Sequence, residues 1–137
     1  MRVILDTNVL IAALITQNSA PHLLFEAFLA GRFTLITGAM QIEEFSRVTR
    51  YPTIRTRIHP AQAGRMLNAI RALAINIERP TVQSVSRDPH DDYLFAMANA
   101  AEADYLITGD KADVLALLRH GKTQIVTARQ FAVILKL

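Results

Sequence analysis

The chain has 137 residues, 51% of them hydrophobic and 20% charged, with no cysteine, and a mean hydropathy of +0.22. A chain this long and apolar buries roughly two thirds of its unfolded surface, so one compact domain over residues 1–137 is expected and disorder is excluded as the main description. The missing cysteines exclude a disulfide scaffold, a thiolate zinc site and cysteine catalysis, and they agree with a cytoplasmic setting. The formal charge of +3 is segregated: Phe45 to Ile77 holds Arg47, Arg50, Arg55, Arg57, Arg65 and Arg71 and no acid, whereas seven of the twelve acids lie between Asp88 and Asp113.

Arg2 to Leu5 reads as a buried strand ending at Asp6, and an apolar helix follows from Val9 to Ile15. That apolar stretch is too short to span a bilayer, so neither a signal peptide nor a membrane helix is expected. Pro21 to Ala30 reads as a second helix with Gly31 just past its end, and Phe33 to Ile36 as the next strand. A third helix is expected from Gly38 to about Arg50, stopped by Pro52, and a fourth from Pro60 to about Leu73, with a short strand over Ala74 to Ile77. Asp88-Pro89-His90-Asp91 looks like a helix start, with Asp88 as cap and the helix running to about Ala101. Tyr105 to Thr108 is a strand, Lys111 to Arg119 a helix, Gln124 to Val126 a strand and Arg129 to Leu135 a terminal helix. Strands alternating with helices predict an α/β fold with a short, mostly parallel sheet of about four or five strands covered on both faces. The tetrapeptide Leu35-Ile36-Thr37-Gly38 recurs as Leu106-Ile107-Thr108-Gly109, a strand end used twice and not a duplication.

In such a sheet the strand carboxyl ends and the following helix starts share one edge, where ligands bind. Asp6 and Asp110 fall on that edge, although each also suits a helix cap. Helical phase puts Asp91 on the stripe of Leu94, Phe95 and Ala98, aimed at the same edge, whereas Asp92 suits a partner of the helix dipole. On the third helix Ile42, Phe45 and Val48 mark the buried face, with Glu44 on its flank and Glu43 almost opposite. Convergence of Asp6, Glu44, Asp91 and Asp110 costs on the order of 4 kcal/mol for each close pair and so demands a counterion. Oxygen-only donors favour Mg²⁺ or Mn²⁺ over zinc. Such an ion activates a water and stabilises the charge that develops on a phosphate, which points to phosphodiester hydrolysis. Thr7, Asn8 and Thr108 then serve to orient carboxylates, and Arg47, Arg50, Arg55 and Arg57 to position a nucleic-acid strand.

Val3-Ile4-Leu5-Asp6-Thr7-Asn8-Val9-Leu10, Ile42-Glu43-Glu44-Phe45, Arg87-Asp88-Pro89-His90-Asp91-Asp92 and Asp104-Tyr105-Leu106-Ile107-Thr108-Gly109-Asp110-Lys111 together resemble a PIN domain, similar to the VapC-type toxins of toxin-antitoxin pairs. The resemblance implies a three-layer fold and a Mg²⁺- or Mn²⁺-dependent ribonuclease, usually a homodimer, restrained by an antitoxin whose tail fills the acidic groove. It carries the family's four acidic positions to Asp6, Glu44, Asp91 and Asp110 and its auxiliary acid to Asp113. Gly38 stands where relatives often have Ser or Thr, which leaves Thr37 to cap the third helix.

Two rival readings compete. Asp6-Thr7-Asn8-Val9 approaches the strand-end signature of haloacid-dehalogenase-like phosphatases, but Asn8 cannot donate and recover a proton. A catalytically silent RNA-binding or antitoxin-binding module keeps the fold without the chemistry. His22, His59, His90 and His120 read as surface or capping residues, and Met40, Met66 and Met97 as core filler. Leu23, Leu24, Phe25 and Phe28 crowd one short helix and suggest a dimer or antitoxin interface.

Overall fold

The computed structural model describes residues 1–78, 91–109 and 119–137. The chain enters as strand β1 (Arg2–Leu5), turns at Asp6 into helix α1 (Thr7–Ile15), and continues through α2 (Ala20–Leu29) to β2 (Thr34–Thr37). Helices α3 (Ala39–Val48), α4 (Pro52–Arg55) and α5 (Pro60–Leu73) lead to β3 (Ile75–Asn76). Beyond come α6 (Asp92–Ala101), β4 (Tyr105–Thr108), β5 (Arg119–His120), β6 (Thr123–Thr127) and α7 (Ala128–Ile134).

Local chemistry fixes the boundaries. Ser19 accepts from the His22 amide and Pro21 sits in the first turn of α2, while Gly31 takes the left-handed φ of +77° that follows a helix end. Thr127 and Gln130 form a reciprocal capping box on α7. Pro52, expected only to stop the third helix, also opens α4, because its fixed φ suits a first helical position. Arg119, expected at the end of a helix, lies in β5. Gly121 has a φ of +57°, and with Lys122 it forms the two-residue loop of a hairpin that pairs Arg119 with Gln124 and His120 with Thr123.

The sheet order is β3-β2-β1-β4-β6-β5. All neighbours are parallel except β5 and β6. The five expected strands are present and the hairpin adds a sixth. Alternation along the central strands divides the core. Val3, Leu5, Leu35 and Ile107 face α1, α2, α5 and α7, whereas Ile4, Ile36, Leu106 and Ile125 face α6. On the first face the rings of Phe25, Phe28, Phe33, Phe131 and Tyr105 form a chain with centroids 5.0–6.2 Å apart. The repeated tetrapeptide occupies the two strands that flank β1 with its faces exchanged, since Leu35 belongs to the first core and Leu106 to the second.

Met66 and Met97 are buried as expected, but Met40 is 54% exposed. It precedes the buried Gln41 and lies on the outer side of α3. Of the crowded set on α2, Leu24, Phe25 and Phe28 are core, and Leu23 alone is exposed. Among the described residues no helix is long and apolar enough to cross a membrane.

Candidate active site at the carboxyl edge of the sheet

The chain runs from β1 outward to β2 and β3, then returns to the other side of β1 with β4. The strand order therefore reverses between β1 and β4, and the crevice beyond their carboxyl ends is where open α/β sheets bind ligands. The register pairs Leu5 with Ile107, and the Asp6 amide donates to the Ile107 carbonyl at 2.9 Å. One step further Thr108 donates its hydroxyl to Asp6 Oδ2 at 3.3 Å, as pairing across adjacent strands requires. Asp6 Oδ1 accepts from the Asn8 amide at 3.3 Å, so the same carboxylate caps α1. The capping and edge roles thus coincide in one residue, and Asp6 is only 1% exposed. Of the residues expected to orient it, Thr108 contributes a hydroxyl and Asn8 its backbone.

Glu44 reaches the edge by a different route. Gln41, on the first turn of α3, is buried, donates Nε2 to the Leu5 carbonyl at 2.5 Å and accepts from the Thr37 hydroxyl at 2.8 Å. Thr37 therefore does not cap α3, and its proton is used on Gln41. Gly38 holds the cap position because a Cβ there would lie 3.1 Å from Met97 Sδ and 3.2 Å from the Ile77 carbonyl. With α3 pinned by Gln41, Glu44 falls three residues later on the same helical face. Glu43 is exposed and pairs with Arg47 at 3.5 Å. Between the adjacent acids, Glu44 is the one that turns inward.

Tyr93 of α6 ties these parts together. Its hydroxyl donates to Glu44 Oε1 at 2.7 Å and lies 3.2 Å from Thr7 Oγ1. A phenol has one proton, which goes to Glu44, so Thr7 is the donor in the second bond. Burial pushes the Tyr93 hydroxyl well above the ordinary tyrosine value; the Thr7 hydrogen bond opposes the rise, while the Glu44 hydrogen bond and the charges of Glu44 and Asp6 add to it. Two carboxylates, from β1 and α3, thus act on one buried hydroxyl. The sequence pattern hides Tyr93 at the head of the apolar run Leu94 to Met97. Its visible signal is a polar tip within a helix whose described residues through Ala98 are all buried.

Asp91 occupies the cap position of α6 and is 4% exposed. Asp92, expected as a first-turn partner of the helix dipole, lies in the first turn of α6 and is equally buried at 4%. None of Asp6, Asp91 and Asp92 stands without a partner. Asp88, Asp110 and Asp113 lie outside the described residues. Among the described residues no three acids or histidines form a group able to hold a metal ion, so Asp6, Glu44 and Asp91 do not make such a group among themselves. The donor chemistry nevertheless fits a hard divalent cation: Asp6 and Glu44 bring carboxylate oxygen to one edge, with no cysteine in the chain to offer a thiolate. Arg47, Arg50, Arg55 and Arg57 sit on or just after α3 and α4, at or near the surface. Arg50 and Arg55 border a separate groove of about 400 Å³ with Phe45, Ile58 and Leu67, on the side of α3 away from Glu44.

Residues 2–112 match the PIN domain family model. The chain belongs to the PIN domain family. The match spans Asp6, Glu44, Asp91 and Asp110, and Asp113 lies just beyond it. PIN domains are generally nucleases and typically work with divalent metal ions. The uncharacterized protein MJ1680 of Methanocaldococcus jannaschii is 27% identical over 123 residues, covering 89% of this PIN domain chain and 78% of that protein. The crystal structure of PAE2754 from Pyrobaculum aerophilum shares the fold, with a TM-score of 0.66, 19% identity, and coverage of 99% of this chain and 90% of that one.

Proposed function

We propose that this PIN domain is a Mg²⁺- or Mn²⁺-dependent endoribonuclease and the toxin of a toxin-antitoxin pair, with Asp6, Glu44, Asp91 and Asp110 as its metal-holding acids and Asp113 as an auxiliary. The observation that carries the nuclease reading is the pairing of a buried Asp6 with Glu44, through Tyr93, at the crevice where the strand order reverses. A divalent cation bound there would offset charge developing on a phosphodiester and ease ionisation of a water. Thr108 fixes Asp6 by its hydroxyl. Tyr93 remains protonated throughout the neutral range and holds one oxygen of Glu44, so the acid keeps one orientation as substrate enters. In this reading the exposed Arg47, Arg50, Arg55 and Arg57 contact the phosphates of the strand as it leaves the edge.

In the toxin reading the acidic edge is also what an antitoxin tail covers, and the exposed Leu23 and Leu29 of α2 supply apolar contacts for a second copy or for that partner. Cleavage of a mixed RNA pool by the purified chain, with Mg²⁺ or Mn²⁺ and then with excess chelator, tests the enzyme. Metal-dependent cleavage that Asp6→Asn removes supports it. Intact RNA under every metal condition would leave a silent binding module.

A further inference from the structure

A cleft of about 560 Å³ lies at the carboxyl ends of β4 and β6, bounded by Thr108, Gly109, Thr127 and Arg129, with Asn18 and Ser19 of the α1–α2 turn opposite. Thr108 links this cleft to the acidic edge, because its hydroxyl donates to Asp6. Arg129 is the one charged side chain in its described lining; it is exposed and forms no ion pair with a described residue. Neighbouring hydroxyls already have partners within the chain. Thr127 accepts from the Gln130 amide at 3.1 Å, and Ser19 donates to the Thr16 carbonyl at 2.8 Å while accepting from His22. The Asn18 amide and the Arg129 guanidinium are left to meet a ligand, a donor-rich set that suits phosphate oxygens.

We propose that this cleft is a backbone subsite of the RNA site, in which Arg129 binds the phosphodiester next to the one at the acidic edge. The assignment rests on the nuclease reading above. Strand β6 lies two strand spacings from β1, about 10 Å away, so Arg129 meets a neighbouring phosphate and not the one facing Asp6. A cationic contact here also compensates the repulsion that Asp6 and Glu44 exert on an incoming strand. Arg129 is thus a positioning residue that tightens substrate binding.

The test is binding of a fluorescein-labelled single-stranded RNA of mixed sequence to the full chain carrying Asp6→Asn, with chelator present, across a salt series. Adding Arg129→Ala is expected to weaken binding about fivefold and to lower the slope of log Kd against log salt by about 0.7, the value for one phosphate contact on a single strand. Arg129→Lys should restore most of the slope. Lys136→Ala, just past the opposite end of α7, removes the same charge away from the cleft and should change neither quantity. Equal effects of Arg129→Ala and Lys136→Ala, or no effect of either, overturn the subsite while leaving the nuclease reading in place if the unsubstituted chain cleaves RNA. An unsubstituted chain that neither binds nor cleaves RNA overturns both.

Discussion

Replacing Tyr93 by Phe probes the coupling between Asp6 and Glu44 without altering either acid. The ring stays in its place against Leu94 and Met97, and only the hydroxyl is lost, together with its 2.7 Å bond to Glu44. Loss of a buried hydrogen bond to a charged acceptor costs about 1–2 kcal/mol when the acceptor, here half-buried, regains water. At pH 8 the variant should be less stable than the parent by that amount. Alkali reverses the balance. Burial and the two carboxylates hold the folded-state tyrosine protonated well above its ordinary value, so the unfolded chain loses this proton first. The native state's advantage is complete below about pH 10 and fades as pH rises above it, by about 1.4 kcal/mol at pH 11. The phenylalanine ring of the variant has no proton to lose. Urea unfolding followed by circular dichroism between pH 8 and pH 11 should therefore show the gap between parent and Tyr93→Phe nearly closing. Contributions common to both chains cancel in the difference. Parallel curves would mean that the hydroxyl is not held as described, and Tyr93 would lose its place at the site.

Asp6→Asn should abolish RNA cleavage while changing thermal midpoint by no more than a few degrees, because the amide oxygen still accepts from the Asn8 amide and the amide nitrogen can donate to a rotated Thr108 hydroxyl; full activity in this variant would defeat the site assignment. Gln41→Leu should destabilise the chain by about 2–3 kcal/mol in chemical denaturation, since the Leu5 carbonyl and Thr37 hydroxyl lose their partner in a buried setting. Gly38→Ala should cost about 1–2 kcal/mol by crowding Met97 and the Ile77 carbonyl, and the same change made in a Met97→Ala background should cost less relative to that single variant. Tyr93→Phe should lower metal-dependent cleavage about tenfold at neutral pH, read as initial rate with saturating metal, as loss of a carboxylate-orienting partner does.

The fold is readable in the sequence wherever a single strand or helix carries its own pattern. The buried run from Arg2 to Leu5 and the helix from Pro60 to Leu73 have local signals strong enough to place them within a residue. Asp6 and Glu44 are legible for the same reason, one from its position at a strand end and the other from helical phase. What escapes is whatever depends on packing between distant elements. Tyr93 looks like one more member of an apolar helix until Glu44 and Thr7, 49 and 86 residues away, are brought to its hydroxyl. Gln41 carries no periodic signal, and its role exists only because β1 and β2 end side by side. Asp92 stands in the first turn of α6 as expected of a dipole partner, but its burial is not legible because it depends on how the start of α6 packs.

The joining of β1 to β4 has a consequence for synthesis. Val3 pairs with Tyr105, so β1 waits for roughly a hundred later residues before its central neighbour exists. Loop closure of that length is slow compared with the formation of local helices. A nascent chain still held by the ribosome with only its first half exposed carries Asp6 and Glu44 but lacks Tyr93 and Thr108. The acids therefore stay unorganised until α6 and β4 have both emerged, and the edge of the sheet is assembled only then.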